Sequence, residues 1–88
     1  MRTIPIDLEI EGLDGELTLV EPSVAMVRSF IGLMETDTKG FMINVLEISL
    51  YQDGLPVEDT LNKVGLGAMM KILPKLTELL GFDSDPND

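Results

Sequence analysis

A chain of 88 residues with 16 acidic and 6 basic side chains has a formal net charge of −10, yet 44% of it is hydrophobic. That excludes an acidic disordered tail, which would be poor in core-forming residues. With no His, no Cys and no Trp, disulfide staples, thiolate chemistry, histidine acid–base catalysis and most zinc sites are out of reach.

The length allows one domain with a thin core. The bases stand apart at Arg2, Arg28, Lys39, Lys63, Lys71 and Lys75. They form no cluster of the kind that nucleic acid or an anionic membrane surface requires. Nothing near the N-terminus resembles the apolar core of a secretory signal, and no run approaches the ~18 apolar residues of a membrane span. The expected compartment is the cytoplasm.

Residues 3–10 alternate, with Ile4, Ile6, Leu8 and Ile10 on one side. Period two predicts a half-buried strand. Pro5 lacks a donor, which places this strand at an edge or turns the proline nitrogen outward. Gly12-Leu13-Asp14-Gly15 reads as a hairpin turn, and Glu16 to Val20 as the return strand with Leu17 and Leu19 on one face. A lone hairpin is marginal, so its apolar face must rest on helices.

The period changes after Pro22. Ser23 is the expected N-cap of a helix near 23–35, with Val24, Val27, Ile31 and Met34 as its apolar stripe and Phe30 beside it. Asp37 or Thr38 can cap the next helix, near 39–52. Phe41, Met42, Ile43, Val45, Leu46, Ile48, Leu50 and Tyr51 cover most of its circumference, leaving Asn44 and Glu47 as a narrow wet side. Its β-branched content makes a strand the competing reading; length and polar spacing favour helix. Asp53-Gly54 reads as its stop. Leu55 to Asn62 reads as a connection in which Leu55, Val57 and Leu61 pack back.

Leu66, Met69, Met70, Leu73, Leu76 and Leu80 form the stripe of a last helix near 66–80, flanked by Ile72 and Leu79. Pro74 inside it removes one backbone bond and predicts a bend. Lys71 and Lys75 lie one turn apart on the outer side. Gly81 is the expected stop, with Phe82 folding back on the last turn. Residues 83–88 read as a flexible acidic tail. The predicted fold is α+β: a single domain over residues 1–82, mostly helical, with a small N-terminal β-hairpin packed against about three helices.

Few residues suggest chemistry. Asp7, Glu9 and Glu11 alternate along a strand, the pattern of a solvated face. Asp83, Asp85 and Asp88 lack the spacing and closing Glu of a calcium loop. Gly65-Leu66-Gly67 lacks the Lys-Ser/Thr pair of a phosphate loop. The residues predict neither an enzyme nor a cofactor or metal site. The nearly all-round apolar helix predicts self-association through Phe41, Ile43, Val45, Leu46, Ile48 and Leu50, because a short chain has little material to cover it. The six methionines suit either an irregular core or an adaptable binding surface.

The layout as a whole resembles a known family. A hairpin ending in Leu17-Thr18-Leu19-Val20-Glu21-Pro22-Ser23 runs into a helix with Val27-Arg28, then an apolar helix, then a turn near Leu61. A last helix closes in Leu76-Thr77-Glu78-Leu79-Leu80-Gly81-Phe82. Over about residues 3–82 this is similar to the small tail assembly chaperones of long-tailed, siphovirus-like bacteriophages. The Glu-Pro-Ser junction and the Leu-Leu-Gly-Phe ending are its best local matches.

The resemblance implies a non-enzymatic, mostly helical chaperone that binds the tape measure protein in the host cytoplasm. Such a chaperone prevents aggregation of that protein, helps recruit tail tube subunits, and is absent from the finished virion. It also implies a longer form made by frameshifting. On this reading Met69, Met70, Leu73 and Leu76 lie near the tape measure contact, with Lys71 and Lys75 on its rim. The alternatives are a small acidic adaptor or antitoxin-like interaction domain, and a structural tail completion protein.

Overall fold

In the computed structural model, residues 2–81 are described. The expected fold-back of Phe82 and the acidic tail at 83–88 lie outside them. The chain is α+β. A four-stranded antiparallel sheet has the order β1 (Thr3–Ile6), β2 (Leu17–Val20), β3 (Leu50–Gln52), β4 (Leu55–Pro56). Between β2 and β3 lie α1 (Val24–Val27), α2 (Leu33–Thr36) and α3 (Thr38–Ser49); after β4 come α4 (Thr60–Lys63) and α5 (Leu66–Leu80).

The N-terminal hairpin forms with shorter strands than the alternation suggests. Ile6 pairs with Leu17, and residues 7–16 bridge them. The tight turn within that bridge is at Glu11-Gly12, where Ile10 pairs with Leu13 and Gly12 takes φ +89°. This tucks Ile10 and Leu13 into the core. Asp14-Gly15 is not the turn. Gly15 is instead held against the carboxylate of Asp53, where a Cβ would collide with Asp53 and Gln52.

Asp53-Gly54, expected as a helix stop, is the two-residue turn of a second hairpin. Gln52 pairs with Leu55 across it, and both turn residues have positive φ, 53° and 85°. Those angles define a type I′ turn, whose twist matches antiparallel strands. The helix predicted to run to residue 52 therefore ends at Ser49, and Leu50 to Gln52 add a strand beside β2.

Edge geometry explains the prolines. The Glu21 amide donates to the Arg2 carbonyl and the Val57 amide to the Leu50 carbonyl, at 2.9 and 3.0 Å. Hydrogen-bonded and non-bonded pairs alternate along such ladders. Pro5 opposite Thr18 and Pro56 opposite Tyr51 thus fall at non-bonded positions. Their nitrogens point away from the sheet at its two outer strands, as proposed for Pro5 from sequence.

The expected helix at 23–35 is not continuous. Ser23 caps α1 by accepting from the Met26 amide at 3.3 Å. The chain then tightens: Phe30 bonds back to Val27, Leu33 to Phe30 and Met34 to Ile31. These three-residue turns suit short connectors, not long helices. They bring the Phe30 ring to 5.6 Å from that of Phe41. Of the predicted stripe, Val27 is buried while Val24, Ile31 and Met34 are exposed. Asp37 caps α3, accepting from the Gly40 amide at 3.0 Å.

The sheet face bearing Ile6, Leu17, Leu19 and Leu50 meets α3 and α5 through Phe41, Met42, Val45, Leu46, Ile72, Leu76 and Leu79. Pro74 lies on the exposed side of α5, which continues through it from Leu66 to Leu80. Gly81 ends the helix at φ 82°. One contact had no signal in the sequence: the Arg2 guanidinium donates to the Leu79 carbonyl at 3.1 Å. It ties β1 to the last turn of α5, where cations are favoured.

Candidate functional site

The strongest surface feature arises because the apolar arc of α5 is wider than the core it faces. Ile72, Leu76 and Leu79 point inward and are buried. Leu66, Met70, Leu73 and Thr77 follow at i, i+4, i+7 and i+11, a neighbouring line on the helix. Leu66 is 72% exposed and Met70 61%, while Leu73 is half-buried. Leu66 and Met69 also border an apolar groove of about 310 Å³ with Ile43 and Leu46 of α3, Leu61 of α4, and Val64.

Local structure sets the groove's shape. Asp59, in the left-handed region at φ 56°, turns the chain into α4, and its carboxylate accepts from the Asn62 amide group at 2.7 Å. Asp tolerates that conformation better than most residues. The buried Thr60 hydroxyl donates to the Val57 carbonyl at 3.0 Å. The turn presents Leu61 outward beside Ile43. Leu55 and Leu61, expected to pack back, are exposed, whereas Val57 is half-buried against the core.

The six residues proposed for partner contact are divided by the fold. Met69, Met70 and Leu73 lie on the accessible line or the groove, and Lys71 and Lys75 are exposed further round α5. Leu76 is core. Among the residues proposed for self-association, Phe41, Val45, Leu46 and Leu50 are buried within the chain's own core. Ile43 and Ile48 are half-buried on either flank of the wet strip at Asn44 and Glu47. Leu61, Val64 and Leu66 belong to the groove without having been singled out as site residues. Their signal was a leucine in a turn and another beside Gly65, and both are exposed.

The groove is lined by apolar side chains. Asp7, Glu9 and Glu11 are exposed, as a solvated face would be. Among the described residues, no group of three or more His, Cys, Asp or Glu is placed to hold a metal ion. No helix among them is long and apolar enough to cross a membrane. Compared with protein-family models, curated proteins and solved structures, the chain matches none.

Proposed function

We propose that this protein is a non-enzymatic assembly chaperone of the kind used in phage tail morphogenesis. It binds apolar stripes of a long helical tape measure protein and keeps that protein soluble in the host cytoplasm until tail tube subunits surround it. The observation carrying this reading is the line of exposed Leu66 and Met70 and half-buried Leu73 along α5, together with the apolar groove that Leu66 and Met69 border with α3 and α4. An amphipathic helix laid into such a groove buries its own apolar face at i, i+3, i+4 and i+7. Methionine at Met69 and Met70 suits a surface that accepts many sequences along a repetitive partner.

The test is co-expression with a helical segment of the tape measure protein, followed by titration. The chaperone should keep that segment in the supernatant. Met70→Ala should weaken binding by about 1–2 kcal/mol, as for a central contact, and leave the melting temperature nearly unchanged because Met70 is exposed. A segment that pellets regardless of this protein rules out the function. Undiminished affinity of the Met70 variant rules out the site.

A further inference from the structure

Only two aspartates in the chain are followed by glycine, Asp14 and Asp53. An Asp-Gly bond is open to spontaneous rearrangement, because glycine puts no side chain in the way of its own nitrogen. That nitrogen must reach the Cγ carbon of the preceding side chain, so both the side chain and the peptide have to turn. The fold treats the two sites differently. The Asp53 carboxylate accepts the Glu16 amide at 2.9 Å, and the Asp53 amide donates to the Glu16 carbonyl at 2.8 Å. Gln52 and Leu55 pair across the same turn. Asp14 is exposed and lies ahead of β2, which starts at Leu17. Among the described residues nothing hydrogen-bonds its carboxylate, and nothing accepts from the Gly15 amide. Gly15 lies against the Asp53 carboxylate on the side where a Cβ would stand.

We propose that Asp14-Gly15 is a site of spontaneous isoaspartate formation in the folded protein, and that hydrogen bonding protects Asp53-Gly54. The Gly15 nitrogen attacks Cγ of the protonated Asp14 side chain. A nitrogen–Cγ bond forms, the bond from Cγ to its hydroxyl breaks, and the hydroxyl leaves with the amide proton as water. Water then opens the resulting succinimide. Cleavage between nitrogen and Cγ restores aspartate. Cleavage between nitrogen and the main-chain carbonyl carbon leaves the chain running through Cγ, with a free α-carboxylate. Water is the only co-reactant, and nothing is oxidised or reduced. At Asp53 the same closure must first break a charge-assisted hydrogen bond and turn a residue held within a hairpin. The extra main-chain atom at position 14 falls in irregular chain, where no ladder pair is lost; at position 53 it would break the two-residue turn. The proposal is independent of the tail assembly reading, because it concerns the protein alone.

The test is to age the whole protein at near-neutral pH and body temperature, native and in denaturing urea. Tryptic peptides 3–28 and 40–63 report the two sites separately, and electron-transfer fragmentation distinguishes isoaspartate from aspartate. In the native protein isoaspartate should accumulate at Asp14 at least about tenfold faster than at Asp53, the factor for breaking one charge-assisted hydrogen bond. In urea the two rates should converge. Gly15→Ala should reverse the native order, because Asp14 loses its glycine and the new Cβ displaces the Asp53 carboxylate. Circular dichroism verifies that this variant folds. Equal native rates, a faster Asp53, or no isoaspartate at Asp14 overturns the proposal. So does a preference that persists in urea, which would assign it to local sequence alone. Asp53 that stays unmodified in folded Gly15→Ala overturns the protection by hydrogen bonding.

Discussion

Asp53 holds two junctions at once. Its backbone, at φ 53°, turns β3 into β4, and its carboxylate accepts the Glu16 amide at the end of β2. Asp53→Ala loses both the tolerance for that φ and the acceptor, and should cost about 1–2 kcal/mol by thermal melting. Asp53→Asn keeps both and should cost much less. Gly15→Ala should cost about 1–2 kcal/mol, one lost hydrogen bond plus local displacement, because its Cβ would push the same carboxylate aside. Ser49 is the reverse case. Its hydroxyl is fully buried and has no partner among the described residues. Ser49→Ala should therefore be neutral or stabilise by up to about 1 kcal/mol. A clear loss of stability would mean that the hydroxyl has a partner.

At the scale of elements, α5 separates packing from binding. Leu76→Ala should cost about 2–5 kcal/mol through the cavity left in the core, while Leu66→Ala should leave the melting temperature nearly unchanged and weaken partner binding. Pro74→Ala restores the backbone bond to Met70. It should stabilise by about 1–3 kcal/mol, since proline costs about 3 kcal/mol inside a helix, and binding should survive because Leu76 and Leu79 already fix the helix on the sheet. Periodicity made α3, α5, the first hairpin and the caps at Ser23, Asp37 and Gly81 legible. It could not separate the two Asp-Gly pairs. The turn-forming pair is chosen by pairing between Leu50–Gln52 and β2, a contact distant in sequence. Val24, Ile31 and Met34 mimic a core stripe, but the tight turns after Val27 rotate Ile31 and Met34 outward, and Val24 lies exposed at the start of α1. Leu66 and Leu73 share the hydrophobicity of Leu76; only the position of the sheet decides which of them is left uncovered.

For the whole molecule, acidity and apolar exposure act together. The sequence pI is about 4.1. Solubility should pass through a minimum near that pH as mutual repulsion vanishes, which turbidity across pH 3–7 would reveal.

The outward prolines of β1 and β4 bear on the lifetime of the protein in a crowded cell. A protein made in excess meets its own copies far more often than any target, and a frayed sheet is an invitation to cross-seeding. With Pro5 and Pro56 at its two ends, the sheet offers an incoming strand a broken row of donors. A transient opening then closes again without passing its conformation to a neighbour. Pro5→Val with Pro56→Val should keep the fold yet shorten the lag before thioflavin-positive fibres appear. An unchanged lag would place that protection elsewhere in the chain.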